Sequence, residues 1–313
     1  MSENITAVSL FSGAGGMDVG FKNAGIKVLM ANEIDKMASK TFIENHPETK
    51  MIVDDINNIF PVLEEYRGVD IVFGGPPCQG FSVIGKMDPD DIRSQLIWSF
   101  LKAVEIIQPR AFVMENVKAL AAIAKWKDVR EEFIVKAKEM GYGCIPFIVN
   151  AAEYGTPQKR ERVFFIGIKG EEEFGDKFLE LLYKQKSKAP TIRELFKDLG
   201  PAGTERNPKT CSAKITYAER PVMRKIPYDC LMFNGIGRPI DPDGYSRTIT
   251  ASQGGNMTLI VDEEFLHNPN ANNWIQEYYE KLVSHEVTPK FAEAPERLRR
   301  LTINETRRIQ TFP

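Results

Sequence analysis

Between residues 6 and 168, short apolar runs alternate with amphipathic helical stretches, and no other feature of the chain restricts its fold as strongly. The strand-like runs are 7–11, 27–32, 51–54, 70–73, 111–114, 145–150 and 163–168. Between them, 17–24, 38–44, 94–107 and 129–140 carry helical periodicity. Strands that are apolar almost throughout, separated by helices, read as a parallel sheet covered on both faces. The expectation is an α/β fold. After Gly170 the rhythm breaks, and 186–260 is rich in Pro, Gly, Lys and Arg with only short apolar pieces. That stretch suggests a smaller, irregular second domain, which 313 residues readily accommodate.

In open α/β sheets ligands bind beyond the carboxyl ends of the strands, so the residues there are the first candidates. The first strand runs into the glycine-rich turn Phe11-Ser12-Gly13-Ala14-Gly15-Gly16, followed by "MDVGFKNAG". It matches neither GxGxxG nor a P-loop. It is either a plain tight turn or one that lets a ligand approach the backbone at a helix start. The second strand ends on Glu33, about 20 residues later, a spacing suited to a ribose diol. The third ends on Asp54-Asp55, either a surface turn or an acceptor for an adenine amino group. After the fourth comes "GGPPCQGFS", residues 74–82, where two prolines stiffen the approach to Cys78 and glycines flank it. A free cysteine is often a packed hydrophobe, but such a residue needs neither device, and a functional thiol is the favoured reading. "VMENV" then places Glu115 after the fifth strand, as a cap or as a half-buried acid able to donate a proton. In "QKRER", Arg160 and Arg162 alternate on an extended segment and are expected to face one side, where they would lower a thiol's pKa or bind phosphate.

Composition narrows the class. At 42% hydrophobic and 27% charged, the chain is that of an ordinary globular protein, with no apolar run near a membrane span and no signal-peptide pattern at its start. Cytoplasmic location is expected. Four widely spaced cysteines and three scattered histidines argue against zinc and against a disulfide framework. The formal net charge of −2 conceals an uneven distribution: residues 184–225 hold eleven Lys or Arg against four acidic residues, and the tail adds Arg297, Arg299, Arg300, Arg307 and Arg308. These are either solvated faces or a nucleic-acid surface.

Taken in order, "FSGAGGMDVGF", "GGPPCQGFS", "MENV", "QKRERVFFIG" and "RRLTINETRRIQTFP" closely resemble the cytosine-C5 DNA methyltransferases. The resemblance implies a Rossmann-like fold dependent on S-adenosylmethionine, with a mostly parallel sheet and a smaller irregular target-recognition domain. It also implies methyl transfer to C5 of a flipped cytosine in a specific double-stranded DNA sequence, in a bacterial restriction-modification or related system, by a nucleoid-associated protein. Carried over by position, Phe11, Gly13, Gly15, Glu33, Asp55, Pro77 and Leu96 belong to the cofactor pocket. Cys78 corresponds to the nucleophile, Glu115 to the group on the cytosine ring nitrogen, and Arg160 and Arg162 to the catalytic arginines. Gln79, Ser82, Thr248 and Thr250 correspond to DNA contacts. The implied division is a catalytic domain over 1–180, target recognition over 181–260, and a connection with the late motif over 261–313.

Two features depart from the family pattern. The chain ends at Phe312-Pro313, before a later family segment that completes the cofactor pocket, so a second polypeptide supplying it is expected and the chain alone is expected to be weakly active. The connection 261–295 is long and carries Trp274, Tyr278 and Leu282 at helical spacing, a packing face within the chain or toward a partner. An RNA-directed relative acting on tRNA and a DNA-binding subunit without full catalysis remain alternative readings.

Overall fold

The structure is a computed structural model that describes residues 5–77, 95–209, 211–250 and 253–313. Two compact units emerge: residues 1–149 with 161–185, and residues 150–160 with 186–313. Residues 261–313 therefore cluster with 186–260 instead of forming a separate segment, and the short piece 150–160 joins them.

The first unit holds β1 (Thr6–Leu10), α1 (Gly16–Asn23), β2 (Lys27–Glu33), α2 (Lys36–Asn45), β3 (Lys50–Val53), α3 (Phe60–Leu63), β4 (Ile71–Gly74), α4 (Leu96–Ile107), β5 (Ala111–Val117), α5 (Lys118–Ala122), α6 (Lys127–Glu139) and β6 (Tyr142–Asn150). After the two-residue β7 (Gln158–Lys159) of the second unit, the chain returns through β8 (Glu161–Lys169) to α7 (Gly175–Lys184). The sheet order is β3-β2-β1-β4-β5-β8-β6. From β3 to β5 every neighbouring pair is parallel, and β5–β8 is antiparallel. The fold is thus α/β with a mostly parallel, Rossmann-like sheet.

Local chemistry explains these elements. Ala7, Val8 and Leu10 are fully buried, as a central strand with helices on both faces requires. On α4, Ile97, Phe100, Leu101, Val104 and Ile107 recur at helical spacing and pack into the core with Phe112, Phe133 and Phe165. Each such buried phenylalanine contributes about 2–3 kcal/mol of transfer free energy. Asp35 starts α2 by accepting from the backbone N–H groups of Met37 and Ala38. The end of β4 lies so close to β1 that a Cβ on Gly74 would sit 2.2 Å from the Leu10 carbonyl oxygen, so only glycine fits there.

The second unit adds α8 (Ile192–Phe196), the antiparallel pair β9 (Tyr217–Val222) and β10 (Leu231–Phe233), then β11 (Ser246–Arg247), which pairs parallel with β7. It continues with β12 (Ile260–Asp262), α9 (Glu263–His267), α10 (Trp274–Val283), β13 (Leu298–Arg300) antiparallel to β12, and α11 (Ile303–Ile309). The spaced aromatics of α10 pack inside this unit: Trp274 stacks on Tyr278 at 5.1 Å, and Tyr278 meets Tyr217 at 4.8 Å between ring centroids. Of the two readings of that face, the intramolecular one describes the contacts.

Arg297, Arg299, Arg300 and Arg308 are not a free basic surface. Arg299 is buried and forks onto both oxygens of Glu305, at 2.8 and 2.7 Å, and also reaches Glu263. Arg300 is buried and donates to the carbonyls of Thr258 and Asn234. Arg297 pairs with Asp262 and Arg308 with Asp198. A buried charge is tolerated only when paired, so these residues fasten the unit together.

Candidate active site

Across β3-β2-β1-β4-β5-β8, one edge of the sheet carries Asp55, Glu33, the 11–15 turn, Gly75-Pro76-Pro77, Glu115 and Arg162 in spatial order. For the parallel strands this is the carboxyl edge. Because β8 runs the other way, its start reaches the same edge, with Arg162 opposite Val117.

The 11–15 turn is held in a left-handed conformation, with φ of 53° at Phe11, 57° at Gly13 and 90° at Gly15. Glycine adopts this region freely and phenylalanine does so at a cost. Ser12 N–H donates to the Asn32 carbonyl and Gly15 N–H to the Ser12 carbonyl, each at 3.0 Å. Gly13 N–H donates to Glu33 Oε2 and Asp35 N–H to Glu33 Oε1, both at 2.8 Å. Each Glu33 oxygen is thereby fixed by backbone and keeps acceptor capacity for a further donor. Among the described residues nothing lies within 4 Å of where a Gly13 side chain would begin, so none of them fills the space in front of that backbone.

Beside Glu33, Ile34 and Met37 are 62% and 74% exposed. Asp55 Oδ1 accepts from the backbone N–H and side-chain amide of Asn57, at 2.8 and 2.9 Å, and Asn57 Oδ1 accepts from Ser99 at 2.9 Å. That chain ties the end of β3 to α4, whose first residue, Leu96, packs half-buried against the core. An open backbone turn, a fixed carboxylate and exposed apolar side chains together suit a nucleoside-bearing ligand: diol to carboxylate, ring to apolar surface.

At the other end of the edge, Arg162 Nε lies 2.9 Å from Glu115 Oε1, with both side chains about four-fifths buried. Glu115 Oε2 is 3.3 Å from where a Gly75 side chain would begin. Buried Asn116 donates to the Pro76 carbonyl at 3.3 Å, anchoring the proline pair. Pro77 is exposed at the end of this segment. Cys78, Gln79 and Ser82 lie outside the described residues.

Arg160 does not share a unit with Arg162, because the chain passes from one unit to the other between residues 160 and 161. Arg162 pairs with Glu115 in the first unit, and Arg160 lines a cavity with Thr250 in the second. Parallel pairing of β11 with β7 sets Thr248 so that its hydroxyl donates to the Lys159 carbonyl at 2.9 Å. Beyond it, Thr250 and Arg160 line a cavity of about 810 Å³ in the second unit, with Gln253, Thr306 and Gln310 also on its wall.

Several residues escaped sequence reasoning. Ile34 had a signal, an apolar residue where the strand should already have turned polar, but Asn57, Ser99 and Asn116 had none. Several basic residues of 184–225 are ion-paired, Lys184 with Glu180 in the first unit, and Arg193 with Asp243 and Lys214 with Glu293 in the second. Positive charge gathers instead around Asp229, which meets Arg247 at 3.1 Å and gives its carbonyl to Arg238 at 3.0 Å. Burial, and then the nearby charges of Arg247 and Arg224, push the Arg238 guanidinium below its ordinary pKa. Three guanidiniums near enough to act on one another, with one carboxylate beside them, favour an anion at that face. Among the described residues no three His, Cys, Asp or Glu side chains gather to hold a metal, and no helix is long and apolar enough to cross a membrane.

The family profile for C-5 cytosine-specific DNA methylase matches residues 5–313. The chain is 30% identical over 312 residues to Type II methyltransferase M.NgoPII of Neisseria gonorrhoeae, a match covering 98% of this chain and 84% of that protein. With Type II methyltransferase M.DdeI of Desulfomicrobium norvegicum it shares 36% identity over 197 residues, which is 61% of this chain and about half, 48%, of the relative. The solved structure of S. pombe Dnmt2 methyltransferase aligns over 99% of this chain and 87% of its own at a TM-score of 0.65 and 18% identity, a likeness of fold.

Proposed function

This chain belongs to the C-5 cytosine-specific DNA methylase family, and from that premise we propose that it methylates C5 of a cytosine turned out of duplex DNA, within a restriction-modification or related system. The observation that carries the reading is the buried Glu115–Arg162 pair, set 3.3 Å from the Gly75 position that leads into Pro76-Pro77-Cys78. A carboxyl group and a guanidinium meeting at one strand edge, with a cysteine next in sequence after Pro77, match what a cytosine ring needs for covalent activation.

S-adenosylmethionine, when bound, supplies an electrophilic methyl group. Phe11, Gly13, Gly15, Glu33, Asp55, Pro77 and Leu96 would hold it, Glu33 through the ribose diol. Cys78 adds through sulfur to C6 of the base, which pushes electron density onto C5. Glu115 hydrogen-bonds N3 as charge builds on the ring, and Arg162 keeps Glu115 in place. Loss of the C5 proton then breaks the C6–S bond and returns the thiolate. A stacked base cannot meet these groups, so it must leave the duplex. Gln79, Ser82, Arg160, Thr248 and Thr250 are assigned to the strand around it. That activity places the protein on nucleoid DNA in the cytoplasm. The second polypeptide expected from the sequence is not supported by the relatives reported above.

The second unit serves target recognition, with Arg224, Arg238 and Arg247 on phosphates. Phosphate contacts release counterions, each adding about 0.9 to the slope of log affinity against log salt. Arg238→Gln combined with Arg247→Gln should therefore lower the slope by about 2 across all duplex sequences. An unchanged slope in a salt titration removes this face from the interface.

The activity is tested by expressing the chain and bisulfite-sequencing plasmid DNA, with tRNA from the same cells treated in parallel. Methylated cytosines in one recurring duplex context support the reading. Modified tRNA with unmodified DNA overturns it in favour of an RNA substrate.

A further inference from the structure

Below the 11–15 turn lies a recess of about 300 Å³ that the proposed chemistry does not use, where Asp18, Lys22, Lys27, His46, Glu48 and Thr49 stand beside apolar Ile26 and Val28. Asp18, in the first turn of α1, is 1% exposed. Its Oδ2 accepts from the Ser9 hydroxyl at 3.1 Å, while Oδ1 is buried without a hydrogen-bond partner among the described residues. His46, just past α2, is 4% exposed, and its Nε2 is likewise buried and unpartnered. The imidazole lies directly under the turn, where a Cβ on Gly15 would come within 2.6 Å of Nε2. Native proteins rarely leave two buried polar atoms unmatched in one place, and here His46 stands against Gly15 while Asp18 sits in the first turn of the helix that Gly15 caps.

We propose that Asp18 and His46 are positioning residues of the cofactor turn, two buried polar groups that hold the turn in its binding shape while Asp18 is uncharged and loosen it when Asp18 ionises. The inference rests on the cofactor reading of residues 11–15. Burial pushes the Asp18 carboxyl up from 3.8 to about 7, outweighing the Ser9 hydrogen bond that opposes it. Burial, then the charge of Lys22, pushes the His46 imidazole down, which favours its neutral form.

The other groups facing the pair do not neutralise an ionised Asp18. Ser9 on β1 is uncharged and already donates to Oδ2, and Lys22 on α1 is paired with Glu48, which follows α2. Lys27 at the start of β2 and Thr49 line the same recess, the Thr49 hydroxyl donating to the Val28 carbonyl. The sign follows from the raised value. The folded chain takes up a proton relative to the unfolded chain between about pH 4 and pH 7, so this contribution to stability is complete below pH 4 and lost as pH rises through about 7. Above that, the carboxylate must draw in solvent, and α1 and its turn move with it.

The test is calorimetric binding of S-adenosylhomocysteine between pH 5.5 and 9 to wild type, Asp18→Asn and His46→Gln, with thermal unfolding of the ligand-free chain over the same range. Coupling of one pKa unit makes the wild-type Kd about tenfold weaker at pH 9 than at pH 6. Asp18→Asn, which cannot ionise, should hold a level Kd and a level melting temperature above pH 6. His46→Gln should weaken binding at every pH while keeping the slope. A wild-type Kd and melting temperature that do not change with pH overturn the proposal even if the asparagine variant fails to fold, as does an Asp18→Asn protein with the wild-type slope. In both cases the cofactor reading stands. No binding by wild type at any pH overturns that reading as well.

Discussion

Replacing Cys78 by alanine is expected to cut methyl transfer by on the order of 10⁵-fold, as loss of a covalent nucleophile does elsewhere, while duplex affinity stays close to wild type. The electrons at cytosine C5 belong to an aromatic ring and attack poorly until a nucleophile has added at C6. A thiol, with a pKa near 8.5, supplies some thiolate at neutral pH, and a hydroxyl supplies almost none. Cys78→Ser should therefore fail nearly as badly. Affinity survives because it comes mainly from phosphate contacts. Two assays check this: methyl incorporation from labelled cofactor, and trapping on a 5-fluorocytosine duplex, whose fluorine cannot depart as a proton does. Wild type should form a stable adduct and Cys78→Ala none. Alanine activity within tenfold of wild type would falsify the assignment.

The second large effect is assigned to Glu115. Glu115→Gln keeps the shape and one acceptor oxygen but removes the group that meets N3 as charge develops, so kcat should fall by about 10²–10⁴-fold, the usual worth of a positioned acid or base. Binding of the cofactor should not change, because Glu33, the residue placed on the ribose, sits three strands away across the sheet. Arg162→Lys should produce a smaller loss through the same route, since an ammonium cannot reproduce the planar guanidinium contact at 2.9 Å. A Glu115→Gln enzyme with unchanged kcat and weakened cofactor binding would move Glu115 out of the base-facing role and into the cofactor site.

The readable parts of this protein were those whose physics is local. All seven strand-like runs correspond to strands of the large sheet, because a strand buried on both faces must be apolar throughout. The turn at 11–15 and the Gly-Pro segment before Cys78 announce themselves through residue types that only unusual backbone requires. What was hidden depends on partners far along the chain. The Glu115–Arg162 contact needs β8 to run antiparallel beside β5, and no local pattern in "ERVFFIGIK" states a direction. Arg297, Arg299, Arg300 and Arg308 read as a basic run, yet the carboxylate that meets Arg308 is Asp198, 110 residues away. Asp18 carries no sequence signal of its burial, since nothing nearby shows that its side of α1 faces inward.

The chain passes between its two units at residues 149–150, 160–161 and 185–186, and β7 lies within the shortest excursion. Anyone exchanging recognition regions between relatives would naturally cut once, near residue 185. Such a hybrid takes β11 from one parent and β7 from the other, and the register Ser246 to Gln158 and Arg247 to Lys159 then joins two strands that never evolved together. The transferable module is discontinuous: residues 150–160 must travel with 186–313, or Arg160 and Thr250 will come from different proteins across a single cavity wall.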